Sequence, residues 1–220
     1  MTRNIGSLGV TLVVALALGL AAAGGVGADV LTTEFTPAIG TGAQEGMDLL
    51  RVHGGEFKCT SIKYAATVSS LSTSSISTTP TYSGCTFIGL AASVNMNGCT
   101  LKFNASPKAG NTTLTEDVVC PEGKEITVTS PTVGAPKCFL HFPPQTGLGP
   151  ASVANIGTTT TKEVTMSLAI TNLGYSQTTG TAETGNCATA DNTTNGAYTG
   201  KALITGENLA GTAHIGIFFS

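Results

Sequence analysis

Charge is scarce in this sequence: Asp, Glu, Lys and Arg together make up 10% of the 220 residues, against about 25% in an ordinary globular chain. What basic residues there are lie singly between Arg51 and Lys201 after the lone Arg3, and the formal net charge is −3. Displacing counterions from a polyanion takes a clustered basic surface, so nucleic acid is excluded as a partner. Tryptophan is absent, and only Tyr64, Tyr82, Tyr175 and Tyr198 represent tyrosine. That leaves little for the flat aromatic platforms of a typical sugar-binding module.

Long apolar runs are missing too. Residues 9–23 are uncharged and mostly apolar, yet fall short of the roughly 20 residues a spanning helix needs. They follow Met1-Thr-Arg-Asn4 and precede Gly24-Gly-Val-Gly-Ala28, the order of a signal peptide over 1–28 cut near Ala28. The alternative is an uncleaved anchor. No cysteine follows the run directly, which excludes a lipid-anchored lipoprotein, and the apolar end His214-Ile-Gly-Ile-Phe-Phe219 is too short to cross a membrane. Cleavage leaves 192 residues with nine Lys or Arg against thirteen Asp or Glu. The expected location is therefore secreted or at the extracellular surface, with no membrane span after signal removal.

Catalytic signatures are equally absent: the chain has no G-x-S-x-G, S-x-x-K, H-E-x-x-H or phosphate-loop motif. No cysteine pair has C-x-x-C spacing, so neither a zinc knuckle nor a redox dithiol is expected, and no cofactor or metal is implied.

What the sequence does have is cysteine in an even number, at Cys59, Cys85, Cys99, Cys120, Cys138 and Cys187. In an oxidising compartment these read as three disulfides. Cys99 and Cys120 flank the turn-forming Ser106-Pro-Lys-Ala-Gly-Asn111 symmetrically, and Cys59 and Cys85 are centred on Ser72. Hairpins folded there place each pair opposite. Cys138 and Cys187 remain for the third bridge; the alternative pairs Cys59 with Cys138 and Cys85 with Cys187.

Threonine is the other abundance, at 37 residues, alongside 28 glycines. β-Branched residues suit a pleated surface, and alternation is clear in Ile126-Thr-Val-Thr129 and Val164-Thr-Met-Ser-Leu-Ala-Ile170. About eleven short strands separated by turn residues predict an all-β fold, an antiparallel β-sandwich stapled by disulfides. Asn97-Gly98 is the strongest two-residue hairpin signal. Pro143-Pro144 places the strand over 138–142 at an edge or beside a bend. The expected organisation is a loose lead-in over 29–55, with one possible edge strand at 47–52, and one sandwich over 56–220. Two smaller sandwiches, over 56–130 and 137–220, are the alternative.

The best acidic cluster is Glu116-Asp117 with Glu122 and Glu125, around Cys120-Pro121. Such carboxylates ordinarily keep a turn solvated, whereas glycoside hydrolysis needs two of them facing across a cleft. His53, His141 and His214 are available for a Ser-His arrangement. Cys59-Thr-Ser-Ile62, Tyr82-Ser-Gly-Cys-Thr86, Val94-Asn-Met-Asn-Gly-Cys99, Asp117-Val-Val-Cys-Pro121 and Tyr198-Thr-Gly200 together resemble a group of uncharacterised secreted bacterial proteins rich in Thr and Gly. The resemblance spans most of the chain after residue 56. It implies export and disulfides, and brings no activity or functional residue with it. The expectation is a non-catalytic secreted or cell-surface protein, structural, adhesive or binding an unknown extracellular partner. The competing expectation is a small hydrolase built on Glu116, Asp117, Glu122 and His141, and a polymerising appendage subunit is a third.

Overall fold

The computed structural model describes residues 31–33, 38–53, 55–105, 112–130, 138–157, 162–179, 192–210 and 213–219. The expected signal peptide over 1–28 and Cys187 lie outside the described residues.

All regular structure in the described residues is strand. Eight long staves, 38–52, 55–68, 75–87, 90–105, 113–130, 138–156, 163–179 and 192–208, run antiparallel, each beside the next. The last returns to the first through Ala202↔Gln44 to Asn208↔Ala38 and Ala197↔Arg51 to Thr199↔Leu49. The sheet therefore closes into an eight-strand antiparallel β-barrel. Leu31–Thr33, Ser72–Thr73, His214–Ile215 and Ile217–Phe219 lie outside the ring.

This corrects the expected sandwich. A sandwich leaves strand edges open, whereas here the 38–52 segment takes the free side of 192–208 and removes them. That segment is no loose lead-in but a full stave. Its upper half puts Ala38, Gly40 and Gly42 inward, residues too small to show an apolar alternation. Two local readings change as well. Asn97-Gly98 adopts positive φ at both residues, but the turn interrupts a stave rather than joining two. The two-residue hairpin is at Ile88-Gly89, with φ of 46° and 80° between paired Phe87 and Leu90. The 138–142 segment is paired on both sides, so it is not an edge, and Pro143-Pro144 marks a break within its stave.

Alternation decides what faces water. On the 163–179 stave Val164, Met166, Leu168 and Ile170 are buried inside, while Thr165, Ser167 and Thr178 face out. A lipid-facing barrel has the opposite pattern, an apolar outer band round a polar interior. This exterior is hydroxylated and solvated, as the low charge and high threonine content required. No helix among the described residues is long and apolar enough to cross a membrane.

Two disulfides stand as the hairpin argument placed them. Cys59–Cys85 and Cys99–Cys120 are bonded, each between residues that face one another across neighbouring staves. Cys138 is disulfide-bonded as well; its expected partner, Cys187, lies outside the described residues.

Between staves 55–68 and 75–87 the ladder stops short of the covered end of the barrel and leaves a seam in the wall. Their ladder runs from Phe57↔Phe87 to Lys63↔Thr81. Beyond that, the Thr78 side chain replaces it, its Oγ1 donating to Ala65 O at 2.9 Å and accepting from Ala65 N at 3.2 Å. Thr78→Val keeps the shape and removes both bonds. The expected cost is about 1–2 kcal/mol, read by denaturant unfolding, with faster amide exchange at Ala65. Unchanged exchange there would show that the clip holds nothing.

Near this seam the barrel end is covered by the small sheet in which Leu31–Thr33 pairs with both Ile217–Phe219 and Ser72–Thr73. Asn155 ties the cover down, accepting from Phe219 N and donating to Phe219 O, both at 2.7 Å. Ile217 is fully buried beneath it.

Candidate functional site

The barrel interior is unevenly filled. Phe57, Phe87, Phe142 and Tyr175 pack the end away from the cover, and small residues at Gly40, Gly42, Ala66 and Ala105 leave space near it. Two cavities result. The one beneath the cover, of about 60 Å³, is almost wholly apolar and reaches the seam at Thr78. The second, of about 90 Å³, lies deeper and is lined by all eight staves. Tyr64 and Phe103 line both, so the two are neighbours along the barrel axis.

The deeper cavity carries a polar cluster in apolar surroundings: Asp48, Glu116, Tyr64, Tyr82 and Tyr198. Strand phase put them there, since Asp48 alternates with Leu50 and Val52, Glu116 with Leu114 and Val118, and Tyr64 with Ile62 and Ala66. Asp48 is 3% exposed. Its Oδ2 accepts from the Tyr198 hydroxyl at 3.0 Å, and its Oδ1 accepts from Lys201 N–H at 3.1 Å. The Tyr64 and Tyr198 hydroxyls approach to 3.5 Å. Gly200 makes the Asp48–Tyr198 contact possible: a Cβ there would stand 2.5 Å from Asp48 Oδ1 and 2.9 Å from the Tyr198 hydroxyl.

Glu116 is different. It is 5% exposed, and its Oε2 has no hydrogen-bond partner among the described residues. Burial, with the adjacent Asp117 charge adding to it, pushes its carboxyl up to about 8. Burial also raises Asp48, partly offset by its bonds from Tyr198 and Lys201, and holds Tyr64, Tyr82 and Tyr198 above the usual phenol range. At neutral pH the cluster therefore offers phenol hydroxyls and a protonated Glu116 carboxyl. No Lys, Arg or His lines either cavity.

The residues of the expected hydrolase are not brought together. Glu116 and Asp117 point to opposite faces of one strand, and Asp117 accepts from Asn104 Nδ2 and Gly147 N outside, both at 2.8 Å. Glu122 is exposed in a turn closed by Lys124 N donating to Pro121 O. His141 lies on the outer wall, with Nδ1 2.6 Å from Glu125 Oε1 and Nε2 2.9 Å from Thr178 Oγ1. That acid–imidazole–hydroxyl line is a cross-strand network on the outer face, and neither cavity touches it. His53 and His214 are exposed and separate from it. Asp48, Tyr64, Tyr82 and Tyr198 form the site with Glu116 instead; for Asp48, Tyr64 and Glu116 the two-residue phase with apolar neighbours was the signal that could have found them, whereas Tyr82, between Pro80 and Gly84, and Tyr198, between Gly196 and Gly200, carried none.

No protein family, curated protein or solved structure matches the chain.

Proposed function

We propose that this chain is an exported, non-catalytic binding protein that encloses a small molecule inside its barrel. Two disulfides and a hydroxylated exterior support export, since cystines persist in oxidising compartments. The observation that carries the binding role is the interior: space is left unfilled against glycine and alanine beneath the cover, and in the neighbouring deeper cavity the buried Glu116 Oε2 has no hydrogen-bond partner among the described residues. A barrel serving only as scaffold gains stability by filling that space. Eight-strand barrels are wide enough to hold one small ligand, and the two neighbouring cavities, which share Tyr64 and Phe103, only together reach the roughly 150 Å³ of an apolar cavity that binds benzene. The outer-face setting of Glu125, His141 and Thr178 supports the non-catalytic reading, because a reacting pair needs a substrate held between its members.

Gly40 tests the reading. A Cβ there meets Ile217 Cδ1 at 3.8 Å, Ala66 O at 3.9 Å and Ile76 Cδ1 at 4.0 Å, ordinary contact distances inside the upper cavity. Gly40→Ala should raise stability by about 1 kcal/mol through burial and a stiffer unfolded chain. It should also weaken benzene binding, measured as the upward shift of the unfolding midpoint with added benzene. No benzene shift in the parent, or an equal shift in Gly40→Ala, refutes the interior as a binding site.

A further inference from the structure

We propose that the deeper cavity is a subsite for an organic ammonium group, with Glu116 and Asp48 as its counter-charges and the rings of Tyr64, Tyr82 and Tyr198 around it. This deepens the binding role above and rests on it. Two carboxyl groups face one enclosed space, and no basic side chain lines it. Asp48 already accepts from two donors, whereas Glu116 Oε2 accepts from none among the described residues and is buried at the cavity wall. A buried carboxyl that lacks a partner holds its proton, and a positive charge placed against it stabilises the carboxylate form instead. A metal ion does not fit: no group of three His, Cys, Asp or Glu gathers among the described residues, and the remaining wall is Leu, Ile, Val and Phe with the disulfide-bonded Cys59. An alkylammonium suits both halves of the lining, its charge against carboxylate and phenol faces, its carbons against the apolar wall.

Binding of such a cation has a proton signature. Glu116 is protonated at neutral pH in the empty barrel. The titratable groups that share its cavity are Asp48, Tyr64, Tyr82 and Tyr198, and the charge that acts on it is Asp117, beside it on the outer face. A cation placed at Oε2 favours the charged carboxylate and expels its proton. Affinity therefore rises with pH up to about 8 and levels off above it.

The experiment is calorimetric titration of the disulfide-intact protein with n-butylammonium and with 1-butanol, at pH 7 in two buffers of different ionisation enthalpy and again at pH 8.5. Expected are binding of butylammonium about tenfold tighter than butanol, a buffer-dependent enthalpy reporting proton release at pH 7, and loss of that preference in Glu116→Gln. Asp48→Asn, which keeps the shape at the second carboxylate, should halve the preference or more. Butanol binding as tightly as butylammonium, or Glu116→Gln retaining the preference, overturns the ammonium subsite and leaves the interior binding role standing. Failure of both probes to bind overturns both.

Discussion

Raising the pH from 5 to 8.5 should destabilise the parent protein by several kcal/mol and Glu116→Gln by much less. The Glu116 carboxyl titrates near 8 in the barrel against 4.5 ordinarily, because it is buried. Below pH 4.5 the group is protonated whether the chain is folded or not, and its burial costs least. Between 4.5 and 8 the unfolded chain has released the proton and the folded one still holds it. Stability then falls by about 1.4 kcal/mol for each pH unit. Above about 8 the folded group is charged as well, and the loss stops growing, at a total on the order of 5 kcal/mol. Asp48 shifts in the same direction and adds to the slope, though its bonds from Tyr198 and Lys201 restrain it. Guanidinium unfolding of the parent and Glu116→Gln at pH 5, 6.5 and 8.5 gives the curves. Parallel curves would mean that Glu116 is solvated, and the site as described would not exist.

That carboxyl shows how far the sequence could be read. Leu114-x-Glu116-x-Val118 places the acid in phase with two apolar residues, and on a strand with one buried face this puts it inside. Its neighbours Asp117, Glu122 and Glu125 make the segment resemble a solvated turn, and three of the four acids do face water. The all-β class and the two hairpin disulfides were legible because alternation and midpoint symmetry are local properties. Closure was not. It depends on the 38–52 stave meeting 192–208 across about 150 residues, through inward positions at Ala38, Gly40 and Gly42 that carry no hydrophobic signature. The same small residues that concealed the stave leave the cavity beneath the cover. The feature hardest to read was thus the one that makes room for a ligand.

The two disulfides should differ in worth although their loops are alike. Separations of 26 and 21 residues for Cys59–Cys85 and Cys99–Cys120 give chain-entropy contributions of about 3 kcal/mol each, roughly 0.2 kcal/mol apart. Their places in the wall are not alike. Cys99–Cys120 sits beside an unbroken ladder from Thr100↔Val119 to Ala105↔Leu114. Asn97 adds bonds across the same hairpin, its Nδ2 donating to Glu125 O at 2.8 Å and to Thr127 Oγ1 at 3.2 Å. Cys59–Cys85 lies in the seam, between the short ladders ending at Lys58↔Thr86 and beginning at Ser61↔Ser83. Beyond Lys63↔Thr81 the Thr78 side chain alone bridges toward Ala65. Replacing Cys99 and Cys120 by alanine should therefore cost about 3 kcal/mol, with the barrel still closed. Replacing Cys59 and Cys85 should cost more, about 4–5 kcal/mol, because the seam loses its fixed point and the deeper cavity, which Cys59 lines, opens with it. Unfolding midpoints of the two double variants, together with amide exchange at Ile62 and Tyr82, separate the cases. Equal costs with protected Ile62 would show that the seam is held by packing inside the barrel and that no entry to the cavity lies there.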